Sequence, residues 1–283
     1  MTNFDFSDIR GKVCVITGGA GIIGRAICDA LASKGIQTAI IDLDISAATE
    51  LAESLSKKYG TRCIGVQANV LDKGTLLQAK EVITGKLGPV DFLINGAGGN
   101  SPEATTKTEQ IVAGGDVPLE DSFFGLNLQG FDKVFALNFS GTLLPTMVFA
   151  SDMAKRGEGV IINISSMNSF RPLTKIPAYS AAKASVNNFT QWLAVHLAKT
   201  GVRVNAVAPG FFLTNQNRFL LVDERTGKAT PRGEKIMANT PVGHYGKPED
   251  LQGAVLFLLS GMSSFITGIV LPVDGGYSAY GGV

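Results

Sequence analysis

Three side chains in the segment 161–184, IINISSMNSFRPLTKIPAYSAAKA, have types and a spacing suited to proton transfer: Ser166, Tyr179 and Lys183. Tyr179 and Lys183 stand at i and i+4, so on a helix they share one face and the ammonium lies beside the phenol. Ser166 follows the apolar run Val160 to Ile164, which reads as a buried strand. Its hydroxyl therefore belongs just past a strand's carboxyl end, where open α/β sheets bind ligands. A free phenol has a pKa of about 10, and bringing it near 7 requires roughly 4 kcal/mol in favour of the phenolate. A neighbouring ammonium supplies part of that. A Tyr four residues before a Lys is also common on ordinary helices as a half-buried ring beside a solvated cation, so the pair gains meaning only from the elements that position it.

Those elements form an α/β series. Lys12 to Thr17 is a short β-branched run leading into Gly18-Gly19-Ala20-Gly21-Ile22-Ile23-Gly24, after which Ala26, Ile27, Ala30 and Leu31 recur at helical spacing. Strand, glycine turn and helix in that order let a backbone approach a pyrophosphate and aim free N–H groups at it. Gly35 ends the helix, a second strand runs from Gln37 to Ile41, and Asp42 follows about 20 residues after the glycines, where a carboxylate accepts from both adenosine ribose hydroxyls and favours NAD over NADP. Asp44 reads as a cap of the next helix, with Ser46 as another candidate. Arg25 reads as a solvated residue, or as a phosphate ligand if the cofactor were NADP.

The alternation continues with a third strand, Arg62 to Val66, then Asn69-Val70, whose amide can meet an adenine edge from both of its ends. A fourth strand, Val90 to Ile94, leads to Asn95-Gly96-Ala97-Gly98-Gly99. The periodicity breaks over about 100–130, an insertion in which Phe123, Phe124 and Leu126 are expected to pack down. A long helix from Asp132 to Lys155 carries Asn138, with Pro145 as a possible bend. Val202 to Val207 is a sixth strand ending at Pro209-Gly210, and 211–244 reads as an irregular lid rich in Asn215, Gln216, Asn217, Arg218, Arg225 and Arg232. Ile269 to Val273 closes a mainly parallel, seven-stranded doubly wound sheet with helices on both faces, a single domain spanning 1–283.

Composition narrows the chemistry. Of 283 residues, 45% are hydrophobic and the formal charge is +1, which suits a large core and offers nothing to draw a nucleic acid. No uninterrupted apolar run approaches the ~18 residues of a membrane helix, and the first residues carry Asp5 and Asp8, so a cytoplasmic protein without a membrane segment is expected. Cys14, Cys28 and Cys63 read as reduced core thiols, and His196 and His244 are too isolated for a zinc site or a Ser/His triad. No metal is expected.

With these residues in view, the chain resembles the short-chain dehydrogenase/reductases over nearly its whole length. Thr17-Gly18 to Gly24 resembles their glycine turn, Asn95 to Gly98 their adenine-side segment, and Asn138, Ser166, Tyr179 and Lys183 their catalytic tetrad. Pro209, Gly210 and Thr214 resemble the segment beside the nicotinamide, and Val273 to Gly276 the end of the last strand. The resemblance departs at Gly21-Ile22, at Asn69 and at Gly96, and the first of these leaves open which glycine lies nearest the pyrophosphate.

The resemblance implies NAD held by Gly18, Gly21, Ile22, Ile23, Asp42, Asn69, Val70, Asn95, Ala97, Gly98, Tyr179, Lys183, Pro209, Gly210, Phe212 and Thr214. It implies that Tyr179 exchanges a proton with the substrate oxygen, Ser166 holds that oxygen, Lys183 lowers the phenol's pKa and Asn138 keeps a relay water. It further implies a homotetramer built on the long helices around Asn138 and Tyr179. Segments such as NGAGGN, APGFFLTNQNR and LPVDGGYSAYGGV resemble the family's sugar-acid branch, which implies D-mannonate and D-fructuronate as reactants. A polyol with one carboxylate needs hydrogen-bonding groups and a cation. Asn100, Asn168, Lys175 and Arg218 fall in segments that border the site, with Arg218 or Lys175 as the carboxylate partner. Another ketose, a polyol or a gluconate-type acid would suit the same tetrad, and a nucleotide sensor without turnover is a more distant alternative.

Overall fold

The computed structural model describes residues 5–214, 218–223 and 225–282. Seven strands, β1 (Val13–Thr17), β2 (Gln37–Asp42), β3 (Cys63–Gln67), β4 (Phe92–Asn95), β5 (Gly159–Ile164), β6 (Val202–Pro209) and β7 (Val270–Val273), pair in parallel in the order β3-β2-β1-β4-β5-β6-β7. The order reverses between β1 and β4, and a crevice opens at such a point beyond the strands' carboxyl ends. Between the strands run α1 (Ile22–Ser33), α2 (Ile45–Tyr59), α3 (Lys73–Leu87), α4 (Leu128–Arg156) and α5 (Pro177–Leu197), followed by α6 (Arg218–Leu221), α7 (Pro231–Ala238) and α8 (Gln252–Leu259).

The central strands are apolar on both faces because both are covered. Cys14 and Ile16 of β1 point to the layer of α1, α2 and α8, meeting Ile27, Leu31, Leu51 and Val255. Val13 and Val15 point the other way, to Leu76 and Ile83 of α3, Phe149 and Met153 of α4 and Leu193 of α5. The period-two alternation of one strand thus feeds two cores. By length and composition α4 would suffice to cross a membrane, but half of its apolar stretch is buried inside the protein.

Local differences from the sequence reading have plain causes. Helix α2 is capped by Asp44, whose carboxylate accepts from the Ala47 N–H at 3.0 Å, and not by Ser46. Helix α4 starts at Leu128, four residues earlier than expected, because the Asn127 side chain accepts from Gly130 N–H at 2.9 Å. It runs unbroken through the buried Pro145. Phe123 and Phe124 do not pack down; they are 67% and 69% exposed and touch each other edge to face. The insertion is instead closed by its own bonds, Lys107 and Thr108 N–H to the Asp121 carbonyl, and ahead of α4 only Ala104 and Ser122 among its described residues are buried. The lid is not irregular throughout, since α6 and α7 lie in it; Asn215, Gln216 and Asn217 lie outside the described residues.

Candidate active site

The carboxyl ends of β1 and β4 are stitched together by Thr17, whose hydroxyl accepts from the N–H groups of Gly96 at 3.1 Å and Ala97 at 3.3 Å. That leaves no room at Gly18, which has φ +64° and where a Cβ would lie 2.8 Å from the Ala97 Cα. A Cβ at Gly24 would meet the Gly18 carbonyl at 2.4 Å, so that glycine packs the helix onto the turn. Gly21 is the open one, its Cβ position meeting only the Gly18 carbonyl at 3.3 Å, and it is the N-cap of α1.

Helices α2, α3 and α4 are each capped by an Asp or Asn side chain, whereas no side chain caps α1. Its first-turn N–H groups and positive dipole end therefore suit an anion. Asp42, at the end of β2, accepts from Ala20 N–H at 3.1 Å through Oδ2, while Oδ1 makes only a 3.3 Å contact with Asp44 N–H. An uncapped helix, an open glycine and a carboxylate with spare acceptor capacity fit the pyrophosphate and ribose of a nicotinamide dinucleotide. Arg25 stays on its own turn, donating to the Ala20 carbonyl at 2.7 Å.

Other expected cofactor contacts divide. Ile22 and Ile23 are half-buried in the first turn of α1, and Gly98 is exposed at the cleft. Gly210 N–H donates to the Val273 carbonyl at 2.9 Å, and Phe212 is buried beside the Gly246 backbone. Pro209 ends β6 and the Thr214 carbonyl accepts from Arg218 N–H at 2.9 Å. Val70 is buried, against the point where a Cβ on Gly141 would fall. Asn69 is exposed, and its carboxamide oxygen accepts from Leu71 N–H at 2.9 Å within its own turn. The Asn95 side chain turns inward, donating to Thr146 Oγ1 at 2.9 Å and Asn163 Oδ1 at 2.8 Å. Asn163 in turn donates to Thr190 Oγ1 at 2.9 Å, a buried polar line joining α4, two strands and α5.

The structure brings the four tetrad positions together. Lys183 is 3% exposed and donates to the Ile164 carbonyl at 2.7 Å, and its Nζ stands 5.7 Å from the Tyr179 ring centroid. Desolvation pulls the ammonium down to about 8. Desolvation also pushes the Tyr179 phenol above its ordinary value, partly opposed by its hydrogen bond with Ser166. The Lys183 ammonium is directed to a backbone carbonyl, and burial dominates at the ring. The Ser166 hydroxyl oxygen accepts from Asn168 N–H at 3.2 Å, which leaves its proton to donate.

Asn138 is fully buried and clamps the strand end: Nδ2 donates to the carbonyls of Gly99 at 2.7 Å and Val134 at 2.8 Å, and Oδ1 accepts from Gly99 N–H at 3.2 Å. Both of its donors are thus taken by backbone, so a water at this side chain has only Oδ1 to bind. Gly98 sits between α4 and α5, where a Cβ would be 2.6 Å from Asn138 Oδ1 and 3.3 Å from Lys183 Nζ.

Three residues absent from the sequence reading hold the Ser166 turn on α5. Ser165 Oγ donates to Asn187 Oδ1 at 2.5 Å, Asn187 Nδ2 donates to Ser169 Oγ at 2.7 Å, and Ser169 Oγ donates to the Ser166 carbonyl at 2.5 Å. The signal was present, since Asn187 follows Lys183 by four and shares its helical face. Of the residues expected to meet substrate, Asn100 is exposed and donates to Thr105 Oγ1 at 3.0 Å, and Arg218 is exposed on the first turn of α6. Lys175 is half-buried, its carbonyl accepting from Thr106 N–H at 3.0 Å. Asn168 is 4% exposed with its Oδ1 unpartnered, and no hydrogen bond among the described residues uses its side chain. The C-terminal tail packs beside this region in the same chain, with Arg171 donating to the Tyr280 carbonyl and Tyr277 against Phe211 at 5.2 Å.

A parallel sheet with an uncapped glycine turn at its switch point, and a Ser, Tyr, Lys and Asn set at neighbouring strand ends, define a dinucleotide-dependent oxidoreductase. The chain belongs to the short-chain dehydrogenase/reductase family: the profile described as enoyl-(acyl carrier protein) reductase matches residues 18–278. An uncharacterised oxidoreductase of Bacillus subtilis is 48% identical over 277 residues, 98% of each chain. A crystal structure from Haemophilus influenzae, provisionally called a D-mannonate oxidoreductase and holding NAD, superposes with a TM-score of 0.92 at 46% identity, covering 99% of this chain and 100% of the other. The gluconate 5-dehydrogenase of Burkholderia cenocepacia, solved with NADP and tartrate, gives 0.82 at 28% identity over 98% of each chain.

Proposed function

We propose that this protein is an NAD-dependent oxidoreductase interconverting a secondary alcohol and a ketone of a sugar acid, D-mannonate and D-fructuronate. The observation that carries the substrate class is Asn168. A buried carboxamide oxygen without a partner costs about 1–3 kcal/mol until a donor pairs with it, and a polyhydroxylated substrate supplies such donors. Its N–H already rests on Ser166, so its side chain belongs to the same turn as the hydroxyl that would hold the reacting oxygen. The similarity to the Haemophilus protein supports the same reading.

In this reading Ser166 donates to the substrate oxygen and Tyr179 exchanges the proton with it. Lys183 places a positive charge beneath the phenol, and Asn138 fixes the Gly98-Gly99 backbone that lies against that charge. The bound nicotinamide supplies or accepts the hydride. Gly18, Gly21, Ile22, Ile23, Ala97 and the Pro209 to Thr214 segment would border it, and Asp42 would take the adenosine ribose hydroxyls and repel a 2′-phosphate. The molecule works as a homotetramer in this proposal, with α4 and α5 as one contact face.

The test is oxidation of NADH and of NADPH with D-fructuronate and a panel of keto sugars and keto acids. Turnover of D-fructuronate with NADH preferred at least tenfold is expected, and Asp42→Ala should erode that preference. A preference for NADPH, or turnover of neutral ketoses alone, would overturn the cofactor or the substrate assignment respectively.

A further inference from the structure

The insertion and the lid meet at an ion pair in which Lys235 on α7 donates to both oxygens of Glu109, at 3.0 and 3.3 Å. Arg232 precedes Lys235 by three residues on α7 and so shares its helical face. On the insertion side, Thr106 N–H bonds the Lys175 carbonyl at 3.0 Å, which ties Lys175 to the strand of chain leading to Glu109. All three cations act on the Glu109 carboxyl and hold it below its ordinary value, Lys235 most, then Lys175 and Arg232. Lys235 is thus the ion-pair partner of Glu109, with the positive charge of Lys175 and Arg232 around it.

This cluster is connected to the catalytic ring. Ala104, five residues before Glu109, is fully buried in a small cluster with Val134, Ala178 and the Tyr179 ring, and Lys175 precedes Tyr179 by four residues. The strap therefore begins beside the reacting group and ends among the cations. An exposed ion pair contributes little stability, so an incoming anion can replace Glu109 at small cost. What it gains is charge-assisted hydrogen bonding from a guanidinium and two ammonium groups.

We propose that Lys175, Arg232 and Lys235 form the site for the substrate's carboxylate, and that Glu109 is the resident counter-ion which that carboxylate displaces. The proposal rests on the sugar-acid reading. It adds Arg232 and Lys235 from the lid to Lys175, and it gives the insertion a role as an internal competitor that favours acids able to out-compete it.

The experiment compares D-fructuronate with D-fructose, which carries a hydroxymethyl group in place of the carboxylate, and reads the ratio of their KM values in the full-length enzyme. Direct binding of D-mannonate to the NADH-loaded enzyme, a pairing that cannot react, is followed by calorimetry alongside. Glu109→Gln should lower the D-fructuronate to D-fructose KM ratio and tighten D-mannonate binding by roughly twofold to fivefold, the range of one exposed charge pair. Lys235→Met should move both in the opposite direction. If wild-type enzyme turns over D-fructuronate and the ratio stays put in both variants, the counter-ion proposal is overturned alone. Equal movement of both KM values, which a merely structural strap would give, also overturns it. Failure of the wild-type enzyme to use D-fructuronate overturns the sugar-acid reading and this inference together.

Discussion

Lys183 is a buried ammonium at the centre of the site. Burial brings it to about 8 from an ordinary 10.5, with one carbonyl at 2.7 Å as its hydrogen-bond partner. Between those two values the unfolded chain holds more protons at this position than the folded one, so stability rises with pH across that window and the full cost of the buried charge is present below pH 8. The gap corresponds to roughly 3 kcal/mol. Lys183→Met should therefore melt at or above the parent at pH 7 despite losing the bond to Ile164, and its advantage should shrink as pH approaches 10, while turnover falls ~10²- to 10⁴-fold. Thermal melts at pH 7, 9 and 10, with rates beside them, check this. A variant that melts well below the parent at pH 7 would show that the Ile164 bond outweighs desolvation. The Tyr179 and Lys183 pairing was legible in the sequence because i, i+4 geometry is local. The upward push on Tyr179 was not, because it depends on what covers the ring.

Gly98 matters at the scale of elements, since it stands where the end of β4, helix α4 and helix α5 converge. The 2.6 Å and 3.3 Å that a Cβ there would leave to Asn138 Oδ1 and Lys183 Nζ make it a wedge between those two side chains. Gly98 is exposed on its outer side, so Gly98→Ala should leave the fold intact, as judged by circular dichroism and a melting temperature within a few degrees of the parent. Displacing a positioned group by about 1 Å costs roughly 10²-fold, and a loss of at least that size in kcat is expected. Retention of most activity would show that Asn138 and Lys183 need no fixed separation. The sequence showed why Gly98 is small but not what it spaces, because Asn138 and Lys183 lie 40 and 85 residues away along the chain. Strands and helices were readable from apolar periods of two and of three to four. The bonds closing the insertion, Lys107 and Thr108 to Asp121, follow no period and were not.

Among the described residues, an extended aromatic surface runs along α4 and α5. Phe135, Phe139, Phe189, Trp192 and His196 form a ladder along α4 and α5 with successive centroids 5.9, 6.0, 6.4 and 4.7 Å apart. Trp192 is 55% exposed and Val195 beside it is 80% exposed, and an open groove of about 490 Å³ runs past Phe139, Ser185, Asn188 and Trp192. Both helices bury their opposite faces in the core that also receives β1, β4 and β5, so this apolar strip is not a by-product of a helix that must be apolar all round. The same two helices hold Asn138, Tyr179 and Lys183, so a second copy packed on the strip would stiffen the catalytic set from behind. In the tetramer proposed above, Trp192→Glu combined with Val195→Glu buries like charges against one another across a two-fold contact, which costs several kcal/mol. Light scattering at micromolar protein should then report a species of half the parent's mass or less, with turnover reduced although every tetrad residue is intact. A parent chain that scatters as a monomer, or a double variant that keeps the parent's mass, would place the assembly on another face and leave the aromatic ladder as solvent-exposed surface.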